Sequence, residues 1–437
     1  MNAFDKVIGY ESVKRELIGI ADALANGEAY EKLGVTAPRG LLLHGNPGVG
    51  KTLMATALLE ASGRRAFICR KDKPNGDFVN EIKKTFDDAS EAAPSIVFLD
   101  DMDKFTNGDE HRPDAEEYVT VQSCIDEARA RDVFVLATAN NTRVLPRSLL
   151  RAGRFDRVIE VDNPHGKDAE DIIAHYIRNK KFVGAIDPAV AARIMNGSSC
   201  AELETVINEA GLFAGYERSD EITPDHFMKA CLHTVHGVPT EVLNVDVPET
   251  DLENGKDVRA RIVCHEAGHA TVAEVLSPGS VTLVSAYSKE YCRGGFTSYF
   301  RGEGDGSLDE VYNEICTSLA GMAAQEQKYG EIDAGSSADL DCAFEKIWSL
   351  VTRNCVMGFH LHDNDSFTLG VSADLMAKQE QAVAAEAEKQ FRRAKEILAS
   401  NRVMFEAIAR ELSKKGVLTS VDIARIKADC LSVREAA

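Results

Sequence analysis

The stretch that most limits what this chain can become is Gly45-Asn46-Pro47-Gly48-Val49-Gly50-Lys51-Thr52, which fits G-x-x-x-x-G-K-[ST]. It follows the apolar run Leu41-Leu42-Leu43 and precedes a helical pattern from Thr52 to Glu60 that stops near Gly63. Strand, glycine-rich turn and helix start in that order make a phosphate cradle. The glycines let backbone N–H groups converge on phosphate oxygens, and the helix N-terminus adds partial positive charge. Gly45, Asn46, Pro47, Gly48, Val49, Gly50, Lys51, Thr52 and Leu53 are therefore expected to bind ATP. Lys51 reaches the β- and γ-phosphates and Thr52 ligates Mg2+.

The surrounding pattern agrees with this placement. Short apolar runs at Gly40–His44, Ala66–Cys69, Ser95–Leu99 and Val133–Thr138 alternate with amphipathic stretches, which predicts a parallel sheet covered by helices. The run Ile96-Val97-Phe98-Leu99 ends in Asp100-Asp101. Two carboxylates closing a buried strand are costly unless they meet a cation or a water to activate. Asp100 is expected to hold Mg2+ through water, and Asp101 to orient or deprotonate the attacking water. Val133–Thr138 runs into Asn140, whose amide is placed to position that water or touch the γ-phosphate. Beyond it, Leu149-Leu150-Arg151-Ala152-Gly153-Arg154-Phe155-Asp156-Arg157 holds two arginines on a short loop. Arg151 and Arg154 can stabilise transition-state charge on a neighbouring subunit's nucleotide; surface ion pairing is the competing explanation. From about Asn163 to Gly237 the pattern is helical, and a Pro-, Thr-, Asp- and Glu-rich linker follows from Val238 to Gly255.

A second motif lies beyond the linker. His265-Glu266-Ala267-Gly268-His269 is H-E-x-x-H, within Val258–Leu276, whose apolar residues recur at helical spacing. His265 and His269 at i and i+4 share one face and can grip one Zn2+. Glu266 beside them can take a proton from the attacking water. A third ligand is required to leave one position open. Asp339, in Gly335-Ser336-Ser337-Ala338-Asp339-Leu340, is the first choice, but Ser336-x-x-Asp339 also reads as a helix capping box. Asp341, Asp333 and Glu326 remain rivals. One strand-like segment, Ser280–Phe300, interrupts the helical pattern. Its part Arg293–Phe300 is either an edge strand that pairs with an unfolded peptide or a plain structural hairpin. Ala373–Ser400 reads as a long, largely exposed helix with Leu375, Val383 and Phe391 touching a core.

Taken in order, these motifs resemble the FtsH-type AAA+ zinc metalloproteases. Phe4 to Tyr10, the P-loop, Ala137-Thr138-Ala139-Asn140 and Leu150 to Arg157 are similar to the motifs of that family's ATPase module, as is Ser199-Cys200-Ala201-Glu202-Leu203 with Asn208-Glu209-Ala210. Cys264–Ala270 resembles its zinc helix. Leu319 to Glu326 followed by Gly335–Leu340 resembles its later signature, whose aspartate is the third zinc ligand; that aspartate is Asp339 here. The resemblance covers nearly the whole chain. It implies a homohexamer with nucleotide at the subunit interfaces, Arg151 and Arg154 as trans-acting fingers, and one zinc per subunit.

The chain also departs from the family pattern. The family normally begins with membrane spans, and this sequence has no apolar run near the ~20 residues that a span needs. Asp101 stands where the family has glutamate. Its carboxylate is about 1.5 Å shorter in reach, and a misplacement of ~1 Å costs ~100-fold in rate, so slow hydrolysis is expected. The substrate-gripping pore loop corresponds to Lys71-Asp72-Lys73-Pro74-Asn75-Gly76-Asp77-Phe78-Val79, which lacks an aromatic-Val-Gly. Phe78 either takes that role or begins a helix and faces the core.

Composition sets the outer limits. The net charge of −20 argues against nucleic acid and anionic lipid as general partners. Ten cysteines with no Cys-x-x-Cys pair, and a start without a basic-then-apolar signal pattern, lead us to expect a cytoplasmic location. The expected fold is an α/β AAA+ core (1–162) with a helical small subdomain (163–238), a linker (239–256) and a mainly α-helical zinc metallopeptidase domain (257–437). The expected function is ATP-dependent proteolysis of unfolded or damaged proteins. Two other classes stay open: an unfoldase whose zinc is structural, and an ATP-independent peptidase on an assembly-only ring.

Overall fold

The computed structural model describes residues 3–34, 38–71, 77–106, 115–151, 153–178, 180–181, 186–243, 251–288, 294–300, 306–362 and 372–436. It divides into two compact units, 1–227 and 228–437.

The first unit is built on five parallel strands: β1 (Gly40–His44), β2 (Arg65–Arg70), β3 (Ser95–Asp100), β4 (Val133–Ala139) and β5 (Arg157–Glu160), in spatial order β2-β3-β4-β1-β5. Leu41, Leu42 and Leu43 of β1 are fully buried between β4 and β5, as are all of β3 and β4. Such unbroken apolar runs are what a sheet covered on both faces requires. One core layer is Phe78, Ile82 and Phe86 of helix Phe78–Glu91 with Tyr118 and Val121 of helix Glu116–Ala128. Because the strands are parallel, β1, β3 and β4 deliver Gly45, Asp100 and Asn140 to the same edge, the carboxyl ends where α/β sheets bind ligands. The fifth strand, β5, was not expected. Only Ile159 of its four residues is buried, so it carries no apolar run to read.

The second unit centres on helix Val258–Leu276. Its residues from Glu266 to Glu274 are all buried, so it is covered on every side. Helix Ala320–Tyr329 crosses it very closely: a Cβ at Gly268 would lie 2.6 Å from Ala324 Cβ and 2.7 Å from Ala320 O. The expected single strand segment is two antiparallel strands, β6 (Val281–Ser285) and β7 (Phe296–Tyr299), with β8 (Val417–Thr419) on the far side of β6. At three residues, β8 was too short to read from sequence. Helix Ala373–Ser400 runs as expected, with Val383 buried and Leu375 and Phe391 packed on the core. It also buries Gln379, Glu386 and Gln390, which hydropathy misses; Gln379 Nε2 donates to Leu361 O at 2.9 Å and Gln390 Nε2 to Glu386 Oε1 at 2.7 Å. Among the described residues, no helix is long and apolar enough to cross a membrane.

The end of the central helix is tied down by Glu274, which is 4% exposed. Its carboxylate accepts Gly279 N at 3.0 Å and the Lys427 ammonium at 3.2 Å, fastening the turn into β6 and the last helix together. Glu274→Ala removes the charged acceptor that Gly279 N and the Lys427 ammonium share, which costs about 1.5–3 kcal/mol. A denaturant melt of the second unit should show the midpoint fall; an unmoved midpoint would mean that other contacts hold this corner.

Candidate functional site

The glycine-rich turn expected to bind nucleotide lies where β1 turns into helix Lys51–Ser62. Gly48 and Gly50 have φ of 80° and 97°, left-handed values that glycine adopts without strain. A Cβ at Gly45 would collide with Val161 O, so the loop also needs glycine for close approach. Lys51 is 6% exposed, and its ammonium donates to Gly45 O, Asn46 O and Asn140 Oδ1 at 2.8–2.9 Å. Burial lowers its pKa, and the nearby carboxylates of Asp101 and Asp103 oppose the shift. Thr52 Oγ1 and Thr138 Oγ1 donate to the same Asp100 oxygen, at 3.2 and 2.8 Å. A hydroxyl and a buried carboxylate meeting at the mouth of a phosphate cradle suit a hydrated Mg2+.

Asp101 has a φ of 54°, a left-handed conformation that aspartate tolerates better than most residues. Its backbone N donates to Thr138 Oγ1 and its carboxylate accepts from Lys104 at 2.8 Å. Arg70, at the end of β2, brings its guanidinium within 3.5 Å of Asp100 and 4.0 Å of Asp101. Asn140 is held by Asp103, which accepts its backbone N at 2.9 Å and its side-chain Nδ2 at 3.4 Å. Asp103, Thr138 and Arg70 were not singled out from sequence. Asp103 had a signal, a third acid two residues beyond the Asp100-Asp101 pair.

The two arginines differ. Arg151 is exposed. Arg154 forks onto Asp126, with Nη2 at 2.7 Å and Nε at 3.3 Å, and its Nη1 reaches Ser148 O and Gln122. The Arg154 hydrogen bond holds the Asp126 carboxyl below its usual pKa. In the pore-loop region, residues 72–76 lie outside the described residues. Phe78 is described: it begins its helix, is 6% exposed and packs edge-on against Phe105 at 4.8 Å, so it faces the core.

In the second unit, His265 and His269 project one turn apart from the central helix. Their Nε2 atoms are 3.0 Å apart, and Asp339 Oδ2 lies 2.9 Å from the first and 3.4 Å from the second. The rivals are engaged elsewhere: Asp333 pairs with Arg261 at 3.0 Å and Glu326 with Lys395 at 2.9 Å, while Asp341 is exposed. The backbone carbonyl of Thr317 accepts from His269 Nδ1 at 2.7 Å, which fixes the tautomer and turns the Nε2 lone pair toward the other donors. Two ring nitrogens and a carboxylate oxygen within 4.8 Å of one another match the set of a catalytic zinc. Tetrahedral Zn–N bonds would separate two such nitrogens by about 3.3 Å.

The electrostatics suit a cation. Burial works to lower the His269 pKa, but the Asp339 carboxylate outweighs it and pushes it up to about 9. Burial works to raise Asp339, but hydrogen bonds from the two imidazoles hold it well below the usual range. Glu266 is 5% exposed; burial raises its carboxyl and the two imidazoles oppose the rise. Its Oε2 accepts the Thr297 hydroxyl at 2.8 Å. His265, Glu266, His269, Gly295, Thr297 and Asp339 line one cleft of about 670 Å3.

Residues 41–163 match the family described as "ATPase family associated with various cellular activities (AAA)", and residues 254–426 match "Peptidase family M41". The chain is 32% identical to the ATP-dependent zinc metalloprotease FtsH 2 of Sphaerobacter thermophilus over 80% of this chain and 54% of that one. It is 30% identical to the ATP-dependent zinc metalloprotease FtsH of Mycoplasma pneumoniae over 96% of this chain and 61% of the relative. Against the ATP-dependent zinc metalloprotease FtsH 2 of Symbiobacterium thermophilum it is 30% identical over 97% of this chain and 74% of the relative. The chain belongs to the FtsH family. It spans 54% and 61% of the length of the first two of these FtsH proteins.

Within this FtsH-family chain, the histidine site depends on a glycine in the neighbouring helix. A Cβ at Gly321 would lie 2.6 Å from His265 Cδ2 and nearer still to Nε2. Gly321→Ala must push the imidazole off the point shared with His269 and Asp339. Because displaced ligand support weakens metal binding about 10–100-fold, competition with a graded chelator should show zinc held that much less tightly than in the wild type. Equal zinc affinity in the two proteins would rule out this packing constraint.

Proposed function

We propose that this chain is an ATP-dependent zinc metalloprotease that hydrolyses unfolded or damaged proteins. What carries the reading is the meeting of His265, His269, Asp339 and the buried Glu266 in one cleft, on a chain whose other unit holds the Lys51–Thr52–Asp100 cradle. In this reading residues 1–162 are the AAA+ large subdomain, 163–238 the helical small subdomain, 239–256 the linker and 257–437 the peptidase domain. The subunits form a homohexamer, with Arg151 and Arg154 facing a neighbour's nucleotide. The ten cysteines include no Cys-x-x-Cys pair, which supports a reducing, cytoplasmic location.

His265, His269 and Asp339 would hold zinc, which would supply Lewis-acid polarisation of the scissile carbonyl. Glu266 takes a proton from the attacking water and returns it to the amine nitrogen as the C–N bond breaks. Strand β7 pairs with β6 on one side and, among the described residues, with no strand on the other. The main-chain groups on that other side are placed to pair with an extended peptide beside the cleft. In the ATPase unit, Lys51 would bind the phosphates, and Thr52 with Asp100 would hold hydrated Mg2+. Asp101 orients the attacking water, and Asn140 senses the γ-phosphate.

The experiment is degradation of an unfolded model protein by the full chain, with and without ATP. Loss of substrate only with ATP is the expected result. Loss that ignores ATP would leave a zinc peptidase without a motor, and no loss despite bound zinc and ATP turnover would leave an unfoldase.

A further inference from the structure

The base in the proposed reaction is held from outside its own helix. Glu266 has three rotatable side-chain bonds, and helix packing around His265 and His269 does not by itself fix where its carboxylate ends. Two residues of one strand segment do. A Cβ at Gly295 would lie 2.6 Å from Glu266 Cγ, 2.9 Å from its Oε1 and 2.5 Å from Ser285 O, so glycine lets the strand close onto the glutamate. Two residues on, and so on the same face of the strand, Thr297 Oγ1 lies 2.8 Å from Glu266 Oε2. The same hydroxyl is 3.4 Å from the Glu266 backbone carbonyl, so its single proton is directed to the nearer carboxylate oxygen. β-Branching leaves Thr297 few side-chain rotamers, which makes the contact stiff.

We infer that Thr297 is a positioning residue for Glu266. It pins Oε2 and leaves Oε1, beside the cleft-lining Gly295, as the oxygen that receives the proton. This rests on the proposed peptidase reading and deepens it. β7 is also the strand whose free edge would take up the substrate backbone. Substrate capture and orientation of the base therefore meet at Thr297, and the hydroxyl acts on the turnover step rather than on binding. A hydroxyl that only filled a buried space would behave differently: its loss would loosen the fold and the zinc site together.

Thr297→Val keeps the shape and removes the hydroxyl; Thr297→Ser keeps the hydroxyl. Both are compared with the wild-type, zinc-loaded full chain by zinc content, by the Kd of a peptidyl hydroxamate, and by kcat and KM on an unstructured fluorogenic peptide. A hydroxamate chelates zinc while donating a hydrogen bond to the neighbouring carboxylate, so it reports where Glu266 sits without any turnover. For Thr297→Val we expect unchanged zinc, hydroxamate binding weakened about tenfold, and kcat lowered about 10–100-fold with KM within about twofold. Thr297→Ser should return hydroxamate binding and kcat to within about threefold of wild type. Equal losses in the two variants, loss of zinc from Thr297→Val, or hydroxamate binding and kcat that ignore Thr297→Val would each overturn the inference. A wild type that binds hydroxamate with this Thr297 dependence yet cleaves no peptide would sink the peptidase reading and leave the positioning role standing.

Discussion

Glu266→Gln is expected to lower peptide hydrolysis by about 10²–10⁴-fold, the range for removing a positioned general base, while zinc stays in place. Glutamine has nearly the shape of glutamate and keeps a carbonyl oxygen to accept the Thr297 hydroxyl, so the contact at 2.8 Å survives. The donor atoms of His265, His269 and Asp339 do not include Glu266, so the metal site keeps its full set. What the amide cannot do is take a proton. In the wild type, burial raises the Glu266 carboxyl and so strengthens it as a base toward neutral pH, while the imidazoles keep the ionised form accessible. The check is peptide cleavage beside zinc stoichiometry on the same preparation. Cleavage at the wild-type rate with full zinc would remove Glu266 from the mechanism. Lost zinc would show that the residue matters to the site's architecture rather than to its chemistry.

That asymmetry between chemistry and support also explains what could be read from the sequence. The P-loop and H-E-x-x-H are legible because their mechanics are local: five consecutive residues put two imidazoles on one helical face, and eight carry a strand through a glycine turn into a helix start. Asp339 was harder. It lies 74 residues beyond His265, and three other acids compete for its place. What separates them is that Arg261 occupies Asp333 and Lys395 occupies Glu326, pairings that exist only after the helices have packed. The same holds for Asp103 on Asn140 and Thr297 on Glu266, where each supporting group is 31 or more residues from the one it holds. Gly321 looks like one more small residue in an Ala-rich helix until the His265 ring is placed against it. The short strands β5 and β8 were missed for another reason, having too few residues to establish a period.

Lys51→Ala is expected to abolish ATP-driven degradation of an unfolded protein while leaving cleavage of a short peptide within a fewfold of wild type. Removing the ammonium takes a donor from Gly45 O, Asn46 O and Asn140 Oδ1 at once, and it withdraws the cation facing Asp100, Asp101 and Asp103. Hydrogen bonds to a charged group are worth about 1.5–3 kcal/mol, so nucleotide affinity should fall about 10–100-fold. ATP turnover should fall further, because developing charge on the transferred phosphoryl group loses its nearest positive partner. In the proposed reading, peptide cleavage draws on a different set of residues, those lining the cleft around His265 and His269, and a short peptide needs no unfolding before it reaches them. The informative quantity is the contrast between the two substrates measured on one preparation. If both activities fall together while zinc and assembly are intact, nucleotide binding itself conditions the peptidase unit. If neither falls, the P-loop is not the motor of the proposed protease, and Asp101 in place of glutamate and Phe78 turned into the core become the first places to look for why.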